Sequence, residues 1–322
     1  MLRRFLKILV LIFFLPIYCF GQDSDPGPGY QFMMMNNPSL AGSCGDGELR
    51  LSYNNFYPGN NYNLHSVYSS YDSYFSQLHG GAGIYLADDY LGGIINDLRG
   101  GLTYAYFLQA TRDLFINAGL SASIYHRGFD FRNAILPDMI DAEGGVSIPS
   151  SETLASPGRT VFDIGAGFLF TIGKFTGGFS INHLAEPDLS STGNTNERLK
   201  RKLMVHISGD LFISKSLNLR IDPLAYFEAQ NGFFNGGIGA ALVSKYLAIN
   251  AVILGDNGKN LNIQTGFSLT KGRISFYYNY RFNAVSGNKS LPLSLLHQTG
   301  LAFSLNNVEK RNTIKTINFP KL

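Results

Sequence analysis

From Asn260 to Thr270 the chain reads NLNIQTGFSLT, and its side chains sort by parity. Leu261, Ile263, Thr265, Phe267 and Leu269 form one set, and Asn260, Asn262, Gln264, Gly266 and Ser268 the other. A period of two means an extended strand with one apolar face and one wet face. The split recurs from Arg273 to Phe282, where Ile274, Phe276, Tyr278, Tyr280 and Phe282 oppose Ser275, Tyr277, Asn279 and Arg281. It recurs again where Leu203, Val205, Ile207, Leu211 and Ile213 oppose Lys202, His206, Ser208 and Asp210. Read this way, the chain holds fourteen strands: 47 to 56, 62 to 75, 80 to 89, 99 to 109, 113 to 129, 160 to 172, 174 to 185, 201 to 213, 216 to 229, 233 to 243, 246 to 254, 259 to 270, 273 to 283 and 297 to 305. An even number of strands of about ten residues suits an antiparallel outer-membrane β-barrel.

The connections test that reading independently, because such barrels alternate short periplasmic turns with longer extracellular loops. The segments 76 to 79, 110 to 112, 173, 214 to 215, 244 to 245 and 271 to 272 are short and fall on one side. Arg112, Lys174, Lys215, Lys245 and Lys271 would border that periplasmic rim. The other side carries 90 to 98, 130 to 159, 186 to 200 and 284 to 296, which are longer. In the last strand Gln298, Gly300, Phe303 and Leu305 follow a polar-x-Gly-x-x-apolar-x-apolar spacing that resembles the assembly signal of outer-membrane barrels. Soluble β-sandwiches and jelly rolls also alternate; strand number and turn parity favour the membrane barrel.

Composition agrees. Charged residues are 15% of the chain, against about 25% in ordinary soluble domains. Glycine (36), tyrosine (18) and phenylalanine (25) are abundant. The net charge of +3 is too small to argue for nucleic acid. Arg3, Arg4 and Lys7 precede an apolar run from Ile8 to Phe20, the pattern of a secretory signal peptide cleaved after Gly21. Its removal leaves Cys44 as the single thiol, which excludes an intramolecular disulfide. Beyond it no apolar stretch is long enough for a transmembrane helix. The expected organisation is signal peptide 1–21, N-terminal periplasmic segment 22–46, barrel 47–305 and periplasmic tail 306–322.

Catalytic and cofactor motifs do not emerge, so neither an enzyme nor a cofactor is expected. The chain has no G-x-S-x-G elbow and no H-E-x-x-H, and GNKS (287 to 290) lacks the adjacent Gly-Lys of a phosphate loop. His65, His79, His126, His183, His206 and His297 show no ligand spacing. GDNGKN (255 to 260) has hairpin composition. Asp88 and Asp89 read as a solvated loop base before YLGG, and the glycines of GGAG (80 to 83) as relief of crowding within a strand. Arg127, His206, Asp210, Arg220, Asp222, Glu228 and Arg281 fall on wet faces and would line the lumen, either paired into a packed interior or bordering a pore. AILPDMIDAEGG (134 to 145) gathers Asp138, Asp141 and Glu143, yet Pro137 and Asp138 suit a turn at the start of the longest outer loop.

A series of motifs carries a family resemblance. NNPSLAGS (36 to 43) is followed in order by LRLSYNNFYPG (49 to 59), SSYDSYF (69 to 75), GGAGIYLADDYLGG (80 to 93), GLTYAY (101 to 106), FDFRNAILPDMID (129 to 141), FDIGAGFLF (162 to 170) and FSINHLAEPD (179 to 188). This series resembles the PorP/SprF family of type IX secretion system membrane proteins. The departures are Ser-Leu in the opening motif, Phe-Tyr-Pro-Gly where Trp-Pro-Gly is usual, and a long segment at 142 to 159. The resemblance implies an outer-membrane barrel assisting the secretion and surface attachment of cargo with a C-terminal sorting domain, including gliding adhesins. It also implies contact with outer-membrane lipid, other secretion components and a periplasmic peptidoglycan-binding protein. The motif or partner-contact positions it marks are Asn37, Pro38, Gly42, Pro58, Gly59, Asp72, Pro137, Asp138, Asp141, Asn182, Glu186 and Pro187. A channel or solute transporter of the outer membrane is the alternative.

Overall fold

The computed structural model describes residues 32–59, 64–130, 139–140, 158–190, 197–214, 216, 218–287 and 292–305. Fifteen strands run β1 (Glu48–Phe56), β2 (Leu64–Phe75), β3 (Gly80–Leu91), β4 (Ile95–Gln109), β5 (Leu114–Phe129), β6 (Gly158–Ile172), β7 (Phe175–Asn182), β8 (Lys202–Gly209), β9 (Leu211–Ser214), β10 (Leu219–Gln230), β11 (Phe233–Val243), β12 (Leu247–Asp256), β13 (Leu261–Lys271), β14 (Ile274–Val285) and β15 (Ser294–Ser304). Each is antiparallel to its neighbours, and β1 pairs with β15, which closes the ring. β8 and β9 both pair with β10 and are two halves of one strand interrupted at Asp210, whose N–H bonds Lys174 O at 2.9 Å. The wall is thus a closed 14-strand barrel, as the parity pattern predicted.

The faces are inverted relative to a soluble domain. Leu102, Leu120 and Ile238 expose 64, 65 and 66% of their surface, whereas Asn54, Asp72 and Asp222 expose none. This is the arrangement a strand adopts when hydrocarbon lies outside and the polar groups satisfy one another inside. Every connection at one end, called here the turn end, is short, while the other end mixes short connections (β3–β4, β10–β11 and β12–β13) with long ones (β5–β6 and β7–β8). Outward-facing Phe75, Tyr106, Phe175, Phe212 and Tyr246 lie near it, and exposed Arg112, Lys174, Lys245 and Lys271 occupy its turns. Aromatic rings at the edge of an apolar band match the interfacial girdle of such barrels.

Several boundaries differ from the periodicity reading, among them the end of β7 at Asn182 rather than 185 and the start of β10 at Leu219 rather than 216. The expected long connection at 90 to 98 is only Gly92, Gly93 and Ile94, because β3 and β4 pair up to Leu91↔Ile95 and both glycines take left-handed φ values of 67° and 78°. Asp88 and Asp89 are therefore not a loop base. They sit within β3, where Asp89 pairs with Arg99 and Asp88 accepts from Asn96 Nδ2 at 2.7 Å. β15 starts at Ser294, three residues before the expected position, because Leu295 and Leu296 are buried and Leu296 pairs with Phe56.

Candidate functional site

The structure corrects the placement of the N-terminal segment. The part of 22–46 that is described, from Phe32 onward, does not lie beyond the barrel but packs against the inward faces of its strands. Helix α1 (Met33–Asn36) and a 3-10 turn (Pro38–Leu40) form a compact plug. Phe32, Met34 and Ala41 join Tyr68, Tyr85, Ala87 and Ala105 on the β2–β4 wall. Met33 and Leu40 join Leu169, Met204, Leu224, Tyr226, Val252 and Leu254 across the lumen. The QFMMM run before the motif thus supplies apolar side chains to both walls at once, and methionine suits such an irregular gap.

The Asn-Pro pair explains itself locally. Proline at the first position of a helical turn loses no bond, and it pushes the preceding residue to extended backbone. Asn37 is extended (φ −147°, ψ 111°), and its Oδ1 accepts from Ser39 N at 3.0 Å and Ser39 Oγ at 2.6 Å. Its Nδ2 lies 3.4 Å from Phe168 O, Phe179 O and His206 Nε2, which ties the turn to β6, β7 and β8. Further bonds hold the backbone: Ser180 Oγ donates to Asn36 O at 2.6 Å, Asn182 Nδ2 to Met35 O at 3.1 Å and Asn117 Nδ2 to Ser39 O at 3.4 Å. At the far end of the plug Gly42 N–H donates to Asp72 Oδ2 at 2.7 Å. Asp72 also pairs with Arg50, whose Nη2 reaches Glu48 Oε2 at 2.6 Å.

Glycines make room for this backbone. A side chain at Gly81 would overlap Ala41 O and Gly42 Cα, and one at Gly119 would overlap the Pro38–Ser39 peptide. The GGAG run is therefore a seat for the plug, which refines the expectation of general crowding.

Five motif positions converge here: Asn37, Pro38, Gly42, Asp72 and Asn182. Others lie apart. Half-buried Pro58 and exposed Gly59 (φ 85°) lie in the connection after β1. Glu186 (φ 43°) sits beyond β7, 3.5 Å from Lys200 Nζ and 3.7 Å from Arg201 Nε, and Pro187 O accepts from Leu199 N at 2.9 Å. Pro137, Asp138 and Asp141 lie outside the described residues, as do the signal segment and the tail. The residues the sequence reading passed over are Phe32 to Met35, Ser39, Asn117, Gly119 and Ser180. For Asn117, Gly119 and Ser180 the signal was a small or amide side chain at inward parity.

Further inward-facing charges are paired. Arg127 pairs with Asp97 at 2.8 Å, His183 Nδ1 reaches Asp163 at 2.7 Å, Lys202 reaches Glu228 at 3.3 Å, and Arg220 reaches Asp222 at 3.1 Å. Arg281 donates to Gln264 Oε1 at 3.0 Å. Of the two arrangements left open by the sequence, these residues adopt the paired interior. The β7–β8 connection adds to it, because Leu189 and Leu199 are buried against Tyr125 and Val161. In that loop Asp188 accepts from Ser190 N–H at 2.9 Å, and that bond, with Arg159 nearby, holds its carboxyl below the usual 3.8. No group of metal ligands forms among the described residues.

Comparison with known proteins places this geometry. No curated protein matches the sequence. Among solved structures, the CymD monoaromatic hydrocarbon channel superposes with a TM-score of 0.52 at 13% identity, covering 89% of this chain and 95% of that one. A deletion mutant of the TodX monoaromatic hydrocarbon channel gives 0.52 at 11% identity, covering 85% and 94%. Identities this low speak for the barrel fold alone. The model of the type IX secretion system membrane protein PorP/SprF matches residues 29–298, a span that takes in both the plug and nearly all of the wall. The chain belongs to the PorP/SprF family of type IX secretion system membrane proteins and is an outer-membrane β-barrel.

Proposed function

We propose that this barrel works as an outer-membrane docking platform of the type IX secretion system, assisting export and surface attachment of cargo with a C-terminal sorting domain. The observation that carries this reading is the occupied lumen. A segment bound to β2, β6, β7 and β8 at once leaves the outer surfaces, rather than a pore, to perform the work. The barrel is then an anchor, without catalytic chemistry of its own. Its neighbours would be other secretion components and a peptidoglycan-binding periplasmic protein, and the cargo would include gliding adhesins. Deletion of the gene should leave a particular surface protein unexported or unattached while outer-membrane permeability stays normal. Unchanged cargo localisation would sink the proposal.

A second reading, a solute channel, draws on the hydrocarbon channels that share the fold. It requires the plug to leave, and conductance measurements on the full chain separate the two.

A further inference from the structure

At the turn end the outward rows of β12, β13 and β14 follow one profile. Leu247, Ile249, Leu269, Ile274 and Phe276 are apolar and exposed, and Leu269 pairs with both Leu247 and Phe276. Tyr246 comes next, 60% exposed, and beyond it stand cations. Lys245 Nζ lies 4.9 Å from the centre of the Tyr246 ring. Lys271 ends the outward row that runs through Phe267 and Leu269, and it pairs with Ile274. Arg273 follows in the β13–β14 turn. Thr270 N–H donates to Tyr246 O at 2.8 Å, which holds the β11–β12 and β13–β14 turns side by side. Neighbouring hairpins of one sheet place their turns two strand spacings apart, about 10 Å.

Lys245, Lys271 and Arg273 are all exposed, and no ion pair joins them to a carboxylate among the described residues. The stretches VSKYLA (243 to 248) and LTKGRIS (269 to 275) contain no Asp or Glu. Acids do occur at this end, but Glu48 and Asp210 face Arg50 and Arg220 on the inside of the wall. Like charges gathered without counter-charges attract an anion. Two further exposed cations, Arg112 beside Asp113 and Lys174 beside outward Phe175, lie in the β4–β5 and β6–β7 turns on the opposite side of the ring. One docked polypeptide reaches one side of a barrel, whereas a lipid leaflet surrounds it. Cations on both sides, each set at the edge of the apolar band, therefore fit a leaflet. Long basic side chains at that depth lay their stems on apolar surface and bring their charge to the level of the headgroups.

We propose that Lys245, Lys271 and Arg273 form a binding surface for the headgroups of anionic phospholipids in the leaflet around the turn end. A zwitterionic headgroup brings its own ammonium, which the three cations repel. An anionic headgroup brings none, so the patch selects it. Tyr246 holds the interface between that headgroup and the acyl chains. The inference stands apart from the docking role, because it concerns how the turn end is held at the membrane surface.

The chain has no tryptophan, so Tyr246→Trp makes the patch its own reporter. The full chain carrying that change is reconstituted in phosphatidylcholine vesicles. Its fluorescence should be quenched more strongly by brominated phosphatidylglycerol than by an equal fraction of brominated phosphatidylcholine. Adding Lys271→Gln and Arg273→Gln alters only exposed side chains without ion partners, so the barrel should still fold. These changes should reduce the preference at least about fivefold, the contribution of one interfacial cation. Lys271→Arg should keep the preference, and added salt should weaken it. Phe234→Trp, outward at the opposite end of β11, is the reference and should show none. Equal quenching by the two lipids at Tyr246→Trp would overturn the inference and leave the cations to an acidic polypeptide. An equal preference at Phe234→Trp, or one undiminished without Lys271 and Arg273, would overturn it too.

Discussion

Asp72 is a small residue with two employers. Its carboxylate takes the Gly42 N–H at the end of the plug and the Arg50 guanidinium from the wall, and no part of it touches solvent. Asp72→Asn removes the charge while keeping the shape, which leaves Arg50 buried beside Glu48 alone. Breaking one side of a buried ion pair costs roughly 3–5 kcal/mol. The variant should melt several degrees below the native barrel, and thiol reagents should reach Cys44, which lies against Arg50, faster. Unchanged melting and unchanged labelling would show that the cluster does not fasten the plug. Asn37 acts at the other end, where one amide both caps a turn and reaches three strands.

At the level of elements, the outward face of strands such as β8 was legible because lipid selects for apolar residues at strict alternation. Leu203, Val205 and Ile207 show it, and all three are exposed. In β9 the alternation breaks after Asp210, and Phe212 and Ile213 are both exposed. The plug was not legible as a plug. PSL forms a single 3-10 turn and MMMN barely one helical turn, too short for any period to register. Their partners also lie far along the chain, 78 residues away for Ser39 and Asn117 and 131 for Asn37 and Phe168. The motif positions nevertheless included Asn37, Gly42, Asp72 and Asn182, residues whose mutual contact only the closed barrel reveals. The β3–β4 connection was misjudged for a related reason: Asp88, Asp89, Asn96 and Asp97 resemble loop composition, yet they bond one another and Arg99 and Arg127 in the interior.

The β7–β8 loop offers a pH test at this scale. The Asp188 carboxyl is held below its ordinary value of 3.8 by the Ser190 N–H. A depressed folded value means the bond stabilises the loop above pH 3.8 and is lost only as pH falls beneath it. The protection of the Leu199 amide, taken relative to its intrinsic exchange rate at each pH, should therefore stay constant from neutral pH down to about 4 and fall below. Loss of protection beginning near neutrality would implicate another group.

For the whole molecule, the decisive property is whether the lumen conducts. An empty barrel of this strand number would leave an interior wide enough for water and ions. With the plug seated, the full chain should be silent in a planar bilayer. Gly119→Val, which drives a side chain into the Pro38–Ser39 peptide, should evict the plug and open conductance without disturbing the outer face. A silent variant, or a conducting native chain, would contradict the plugged state. The closed ring also has an implication for biogenesis. β1 follows directly on the plug, and its partner β15 is the last strand among the described residues. The seam cannot zip until synthesis of the wall is complete, so the N-terminal segment waits as cargo of its own barrel and is encapsulated by the final closing step. Loop-closure entropy makes so non-local a pairing late and slow. An amide-studded segment that has already gathered Ser180, Asn182 and Asn117 around itself would act as the former on which the wall curls shut.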